Sequence, residues 1–201
     1  NVMFTAKASG VETNVTLIGG AGNDYVEFQV GNINATGGEG NDTFAFVNTG
    51  FNSTFTTADT IVGGAGTDTI QLGLNGVGSI DVQWTEFNSK TGVDVLDLRA
   101  KENKVELSDG FVAAAEVAGG MVVRTDKIVQ TSAASVANPA GGSTVEDASV
   151  NTINLTKLAS NRVITFEGGS GSDRLVLNEQ SFTSNATLKG GDNVNNAGPG
   201  A

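Results

Sequence analysis

One short pattern recurs along this chain and narrows what it can fold into. Gly19-Gly20-Ala21-Gly22-Asn23-Asp24-Tyr25-Val26, Gly37-Gly38-Glu39-Gly40-Asn41-Asp42-Thr43-Phe44, Gly63-Gly64-Ala65-Gly66-Thr67-Asp68-Thr69-Ile70 and Gly168-Gly169-Ser170-Gly171-Ser172-Asp173-Arg174-Leu175 all read G-G-x-G-x-D-x-U, with U a large apolar residue. Self-similarity of this kind marks a solenoid, in which each repeat buries its apolar face only against its neighbours. The intervals add separate information. Asp24 and Asp42 stand 18 residues apart, which is two nine-residue units. Asp42 and Asp68 stand 26 apart, or 18 plus an excursion of eight within the Thr-, Asn- and Phe-rich stretch 47–60, which reads as a surface loop. A further step of 26 lands on Asp94, in Gly92-Val93-Asp94-Val95-Leu96, a degenerate fourth loop that lacks the paired glycines.

Composition removes several function classes. The chain has no Cys and no His. That excludes disulfides, thiolate and imidazole metal sites, and His-based catalysis, and leaves oxygen as the ligand for any metal. A net charge of −11 argues against nucleic acid, whose phosphates need clustered Lys and Arg. The 28 glycines are clustered and accompanied by only two prolines, so this is not collagen. No apolar run approaches the roughly 20 residues that cross a membrane. The chain starts at Asn1 without a signal peptide and is expected to be a piece of a longer protein.

The repeat resembles the nonapeptide of the repeats-in-toxin family. That resemblance implies an all-β fold, a right-handed parallel β-roll or β-helix solenoid with loop insertions, and two nonapeptides per turn. It also implies Ca2+ between consecutive loops on one edge, held by Asp side chains and backbone carbonyls. Carried onto this chain, the metal residues are Gly20, Gly22 and Asp24, then Gly38, Gly40 and Asp42, then Gly64, Gly66 and Asp68, with Gly92 and Asp94 as the degenerate loop. A separate site is expected at Gly169, Gly171 and Asp173, with Asp192 of Lys189-Gly190-Gly191-Asp192-Asn193 as a partial partner. The physics is consistent with this placement. Rungs of a parallel roll stack at roughly 4.8 Å, and calcium–oxygen distances are about 2.3–2.6 Å, so an ion midway between stacked carboxylates reaches both. Magnesium demands a smaller octahedral shell, and zinc prefers His or Cys. Val26, Phe44, Ile70 and Leu175, at the apolar position of the repeat, are core residues.

Between Asn75 and Ala140 the glycine pattern is missing, but strand-like alternation persists at Ile80, Val82 and Trp84, at Val93 and Val95, at Val105 and Leu107, and at Met121 and Val123. A short helix is expected from Ser108 to Ala118, capped by Ser108 or Asp109. Leu96-Asp97-Leu98 with Asn103–Leu107 resembles Ile153-Asn154-Leu155 with Asn161–Phe166, which suggests a roll that resumes after an interruption. The division expected is a roll over 1–98, an interrupting β and loop segment over 99–145, and a resumed roll over 146–201 with a frayed C-terminus.

The function expected is a non-catalytic, calcium-dependent structural protein of the bacterial cell surface. The repeats are few and interrupted, as in surface-layer and large adhesin members of the family. Export through a type I secretion channel, extracellular folding on calcium, and self-association into a lattice or filament would follow from that resemblance. The alternative is an accessory or polysaccharide-binding domain of a secreted enzyme. In the binding version, Trp84 and the phenylalanines at 51, 55 and 87 would stack on sugar rings, although such aromatics are more often core.

Overall fold

The computed structural model describes residues 3–6, 14–29, 31–47, 54–73, 78–115, 120–125, 129–131, 144–146, 149–159, 161–169, 171–177 and 186–189. The chain is built almost entirely of short parallel strands. One eight-stranded sheet runs the length of the stack in the order β1 (Met3–Ala6), β3 (Tyr25–Phe28), β5 (Thr43–Phe46), β7 (Thr69–Leu72), β10 (Val95–Leu98), β12 (Met121–Thr125), β16 (Ile164–Glu167) and β18 (Ala186–Lys189). A second sheet holds β2 (Asn14–Ala21), β4 (Asn32–Glu39), β6 (Thr60–Ala65) and β9 (Lys90–Thr91). A third holds β8 (Ser79–Val82), β11 (Glu102–Glu106), β15 (Val150–Asn154) and β17 (Ser172–Val176). Among the described residues the exception to parallel pairing is the antiparallel pair of β13 (Val129–Thr131) and β14 (Thr144–Glu146).

The alternation of the sequence explains which way each strand faces. In β4, Ile33 and Ala35 are buried while Asn32 and Asn34 are exposed. In the long sheet, register aligns Val26, Phe44, Ile70, Leu96, Val123 and Phe166 in one inward row. The expected core positions Val26, Phe44 and Ile70 are buried, and Leu175 packs against the core from the third sheet.

Two expectations need correcting. The stretch 47–60 is not a surface loop throughout. Phe55 is fully buried in an aromatic column, Phe28–Phe46–Phe55–Phe87–Phe111, with neighbouring ring centroids 4.6 to 5.3 Å apart. Phe55 and Phe87 are therefore core; Phe51 lies outside the described residues. The excursion is pinned at two further points. The Asp59 carboxylate accepts from the backbone of Ile33 at 2.9 Å and Thr56 at 2.6 Å. The buried Lys90 ammonium donates to the carbonyls of Thr56 and Asp59 and lies 4.7 Å from the Phe55 ring. Desolvation pulls the Lys90 pKa down to about 8.

The second correction concerns 99–145. Its strands β11 and β12 stay in the stack, because β11 pairs with both β8 and β15, and β12 with both β10 and β16, whereas β13 and β14 pair with each other. Register also sets Val105 opposite Ile153, so β15 aligns with β11 and not with β10, the strand its sequence echoes.

A helix shorter than expected is present as α1 (Asp109–Ala113), ending before Ala115, with the Ser108 hydroxyl accepting from the Phe111 N–H at 3.2 Å. Residues 116–119 lie outside the described residues. Asp109, in the first turn, takes a two-pronged bond from Arg162 at 2.7 and 2.5 Å and a backbone bond from Ala159 at 2.8 Å. The hydrogen bond from Arg162 holds its carboxyl below the ordinary range. The folded chain therefore binds this proton less readily than the unfolded chain. The stabilisation is present above the unfolded pKa of about 3.9 and is lost as pH falls through the folded value. Asp109→Asn should cost about 1 kcal/mol at pH 7, a modest figure because the pair is partly solvated, and progressively less as pH falls below the unfolded pKa. Denaturant melts across that pH range measure this.

Candidate metal centre

The four loops expected to stack do so along one edge. Register runs Tyr25↔Thr43↔Thr69↔Val95, which places Asp24, Asp42, Asp68 and Asp94 in one column. All four are buried, at 4%, 2%, 0% and 1% exposure. Buried carboxylates need a local reason, since charge is costly to desolvate.

Part of that reason is backbone capping. Asp42 Oδ1 accepts from the Asp24 N–H at 2.8 Å, Asp68 Oδ1 from the Asp42 N–H at 2.8 Å, and Asp94 Oδ2 from the Asp68 N–H at 2.9 Å. The residue before each Asp bonds the other way. Asn23 Oδ1 accepts from the Asn41 N–H at 2.8 Å, and Asn41 Oδ1 from the Thr67 N–H at 2.9 Å. Positions five and six of the repeat thus fasten each loop to the next in opposite directions. Gly22 N–H to Glu39 carbonyl and Gly40 N–H to Ala65 carbonyl complete the stack.

The remaining carboxylate oxygens explain the first glycine of each repeat. A Cβ on Gly37 would lie 2.1 Å from Asp42 Oδ2 and 2.5 Å from the Gly63 carbonyl oxygen. On Gly19 it would lie 2.3 Å from Asp24 Oδ2 and 2.5 Å from the Gly37 oxygen. On Gly63 it would lie 2.6 Å from Asp68 Oδ2 and 1.8 Å from the Gly92 oxygen. In each of three gaps, then, a carboxylate oxygen of one rung and a carbonyl oxygen of the next converge on space that a side chain would fill. Asp42 Oδ2 is buried and accepts no hydrogen bond. Burial, with the neighbouring Asp24 charge adding to it, pushes the Asp42 carboxyl above its ordinary range. Behind the first gap, Gly19, Gly37, Asp24 and Asp42 line a cavity of about 50 Å³.

Hard oxygens from two rungs, one an ionised carboxylate, suit Ca2+ in both charge and ligand type. Among the described residues no group of three or more acidic side chains converges. Backbone carbonyls must therefore supply most of the shell, which is what closely stacked glycine loops make available. Gly20, Gly22, Gly38, Gly40, Gly64 and Gly66 all take positive φ, from 101° to 134°. Gly19, Gly37 and Gly63 were missing from the expected ligand set, although the first glycine is present in every full copy of the repeat.

Gly37→Ala should cost about 3 kcal/mol, at the upper end for overpacking, because backbone and a buried carboxylate both stand in the way. Gly110→Ala is the control: a Cβ there meets nothing within 4 Å, and the helix should gain up to about 1 kcal/mol. Thermal melts in saturating calcium compare the two.

The other expected residues lie elsewhere. Asp173 is in β17, not in a loop of the column, and register sets it beside Asn151 and then Asn103. Its Oδ1 accepts from Asn151 at 2.7 Å and from the Thr125 hydroxyl at 3.1 Å. Asn151 in turn accepts from Asn103 at 2.6 Å. The structure therefore shows Asp173 ending an amide ladder. Gly169 donates to the Thr125 hydroxyl at 3.0 Å, and Gly171 is pressed against the Ser149 carbonyl. Asp192 lies outside the described residues. Trp84 opens a short 3-10 helix, is 40% exposed, and has the Lys157 ammonium 6.0 Å from its ring.

A family model described as the RTX calcium-binding nonapeptide repeat (4 copies) matches residues 9–32 and 54–74. The two segments carry the Asp24 and Asp68 loops, and the Asp42 loop stacks between them. Comparison with curated proteins and with solved structures returned no match.

Proposed function

We propose, from the premise that this chain belongs to the family defined by the RTX calcium-binding nonapeptide repeat, that it is a structural segment of an extracellular surface protein. In this reading calcium completes the fold, and the folded stack then assembles with copies of itself. The observation that carries it is the column of three gaps, each walled by a buried carboxylate oxygen and a facing carbonyl. Asp24, Asp42, Asp68 and Asp94, with the carbonyls of Gly37, Gly63 and Gly92, would hold the ions. What calcium supplies there is positive charge between stacked carboxylates.

The distribution of charge supports three such ions. Residues 1–89 carry nine acidic side chains and one basic one, Lys7. Three divalent cations would offset most of that imbalance, and the rest of the chain is close to balanced without them. A surface role agrees with a stack whose chemistry is spent on holding itself together. Among the described residues no helix is long and apolar enough to cross a membrane.

The test is assembly. The chain at micromolar concentration is brought from chelator into millimolar calcium and followed by light scattering and negative-stain microscopy. Ordered sheets or filaments that dissolve again in chelator are expected. A calcium-folded chain that stays monomeric would remove the assembly role and leave an accessory domain as the better reading.

A further inference from the structure

The three gaps are not equivalent. From Val62 to Thr69 the third loop spends six residues, Gly63 to Asp68, on crossing the edge, whereas the fourth crosses from Thr91 to Val95 with three, Gly92, Val93 and Asp94; both ends are in register. The fourth loop is therefore three residues short. Gly92 brings its carbonyl to Gly63 and lies beside Gly64, and Asp94 brings its carboxylate to the Asp68 N–H, but the shortened loop has no residue left to cover Ala65 and Gly66.

The contrast with the first two gaps is direct. There, Gly38 lies against the Gly20 carbonyl, Gly40 against Gly22, Gly64 against Gly38 and Gly66 against Gly40, so that a Cβ would come within 2.0 to 2.6 Å of each. The backbone bonds Gly22 to Glu39 and Gly40 to Ala65 close the same faces. Among the described residues Ala65 and Gly66 of the third loop have no such cover on their far side, and Ala65, Gly66 and Thr67 are all exposed.

We infer that the gap between Asp68 and Asp94 is an open cation site, whose ion keeps bound water and exchanges with solvent while the two closed gaps hold theirs. This rests on the calcium reading above. The closed gaps offer carbonyls from two full loops; the open one offers them from a single full loop and Gly92. Calcium takes six to eight oxygens, so positions that the protein leaves unfilled are taken by water. An ion reached by water leaves faster and accommodates a wider range of hard cations.

The experiment uses the full chain loaded with terbium, a hard trivalent stand-in for calcium, excited directly. Luminescence lifetimes in H2O and D2O count the waters bound to each ion. Two populations are expected, a dry one and one with two or more waters. Asp94→Asn should remove the wet population and Asp24→Asn should leave it. Calcium release into a chelator should show one phase at least about tenfold faster than the rest, equivalent to about 1.4 kcal/mol of lost coordination.

A gain-of-structure variant guards against a misfolded substitution. Inserting Gly-Ala-Gly between Gly92 and Val93 rebuilds G-G-A-G-x-D in the fourth loop. It should convert the wet population to dry and abolish the fast phase. A single water number for all ions, or a wet population that survives both Asp94→Asn and the insertion, overturns the inference while leaving calcium binding intact. Absence of bound terbium and calcium in every variant would overturn the calcium reading itself.

Discussion

In excess chelator the chain is expected to lose most of its far-ultraviolet β signal, and to regain it cooperatively as free calcium rises toward millimolar. The Asp column is the reason. At the strand spacing of roughly 4.8 Å, two adjacent carboxylates repel by about 3 kcal/mol at an effective dielectric near 20. Three adjacent pairs stand in this column. A domain's net stability is about 5–15 kcal/mol, so repulsion of this size is decisive. The backbone bonds from Asp24, Asp42 and Asp68 N–H groups reduce the penalty without removing it: each pairs one carboxylate oxygen of its acceptor, while Oδ2 of Asp42 and of Asp68 faces the carbonyl of the next rung. The raised Asp42 pKa points the same way: burial and the neighbouring Asp24 charge both disfavour its charged form. Magnesium at equal concentration should restore little of the signal, because its tighter octahedral shell does not match wide glycine loops. A circular dichroism spectrum unchanged in excess chelator would remove calcium as a requirement for folding.

Register made the column legible from sequence, and the reason is physical. A solenoid places residues by their distance along the chain, so 18 and 26 residues fix which side chains stack before anything is known of the turns. That is how Asp94 was found beside Asp68 although its loop is truncated. The same rule limits what a single copy of the motif can say. Gly168–Asp173 repeats the motif faithfully, but a site between rungs needs a second loop one turn away. The described neighbour of Asp173 is Asn151 in a strand. Motif identity is a property of one loop; a metal site of the proposed kind belongs to two. The buried position of Phe55 could not be read because an excursion has no register of its own. Its ring is placed by Phe46 and Phe87, residues set by two other turns. The first glycine stands in every full copy of the motif, yet the motif alone does not mark it as a site residue. Its role is to leave space, and only the facing Asp and carbonyl oxygens reveal what the space is for.

Sharing of ligands along the column leads to the second large effect. Asp42 reaches back to the Asp24 N–H with Oδ1 and directs Oδ2 into the gap that the Gly63 carbonyl closes. It therefore stands between two gaps, the one toward Asp24 and the one toward Asp68. Asp24, before it in the column, faces the single gap toward Asp42. Substitution by Asn keeps the shape and the acceptor for the backbone N–H while removing the charge, so it separates ion binding from simple collapse. At saturating calcium, Asp42→Asn should lose two ions per chain and Asp24→Asn one, by equilibrium dialysis with elemental analysis. The difference should carry into stability, since each bound ion adds stabilisation that grows with its concentration over its dissociation constant, about 2.7 kcal/mol at a hundredfold excess. Asp42→Asn should thus melt well below Asp24→Asn in calcium, and the two should converge in chelator. Equal loss of calcium from both variants would mean that the ions lie within single loops, and the shared column would have to be given up.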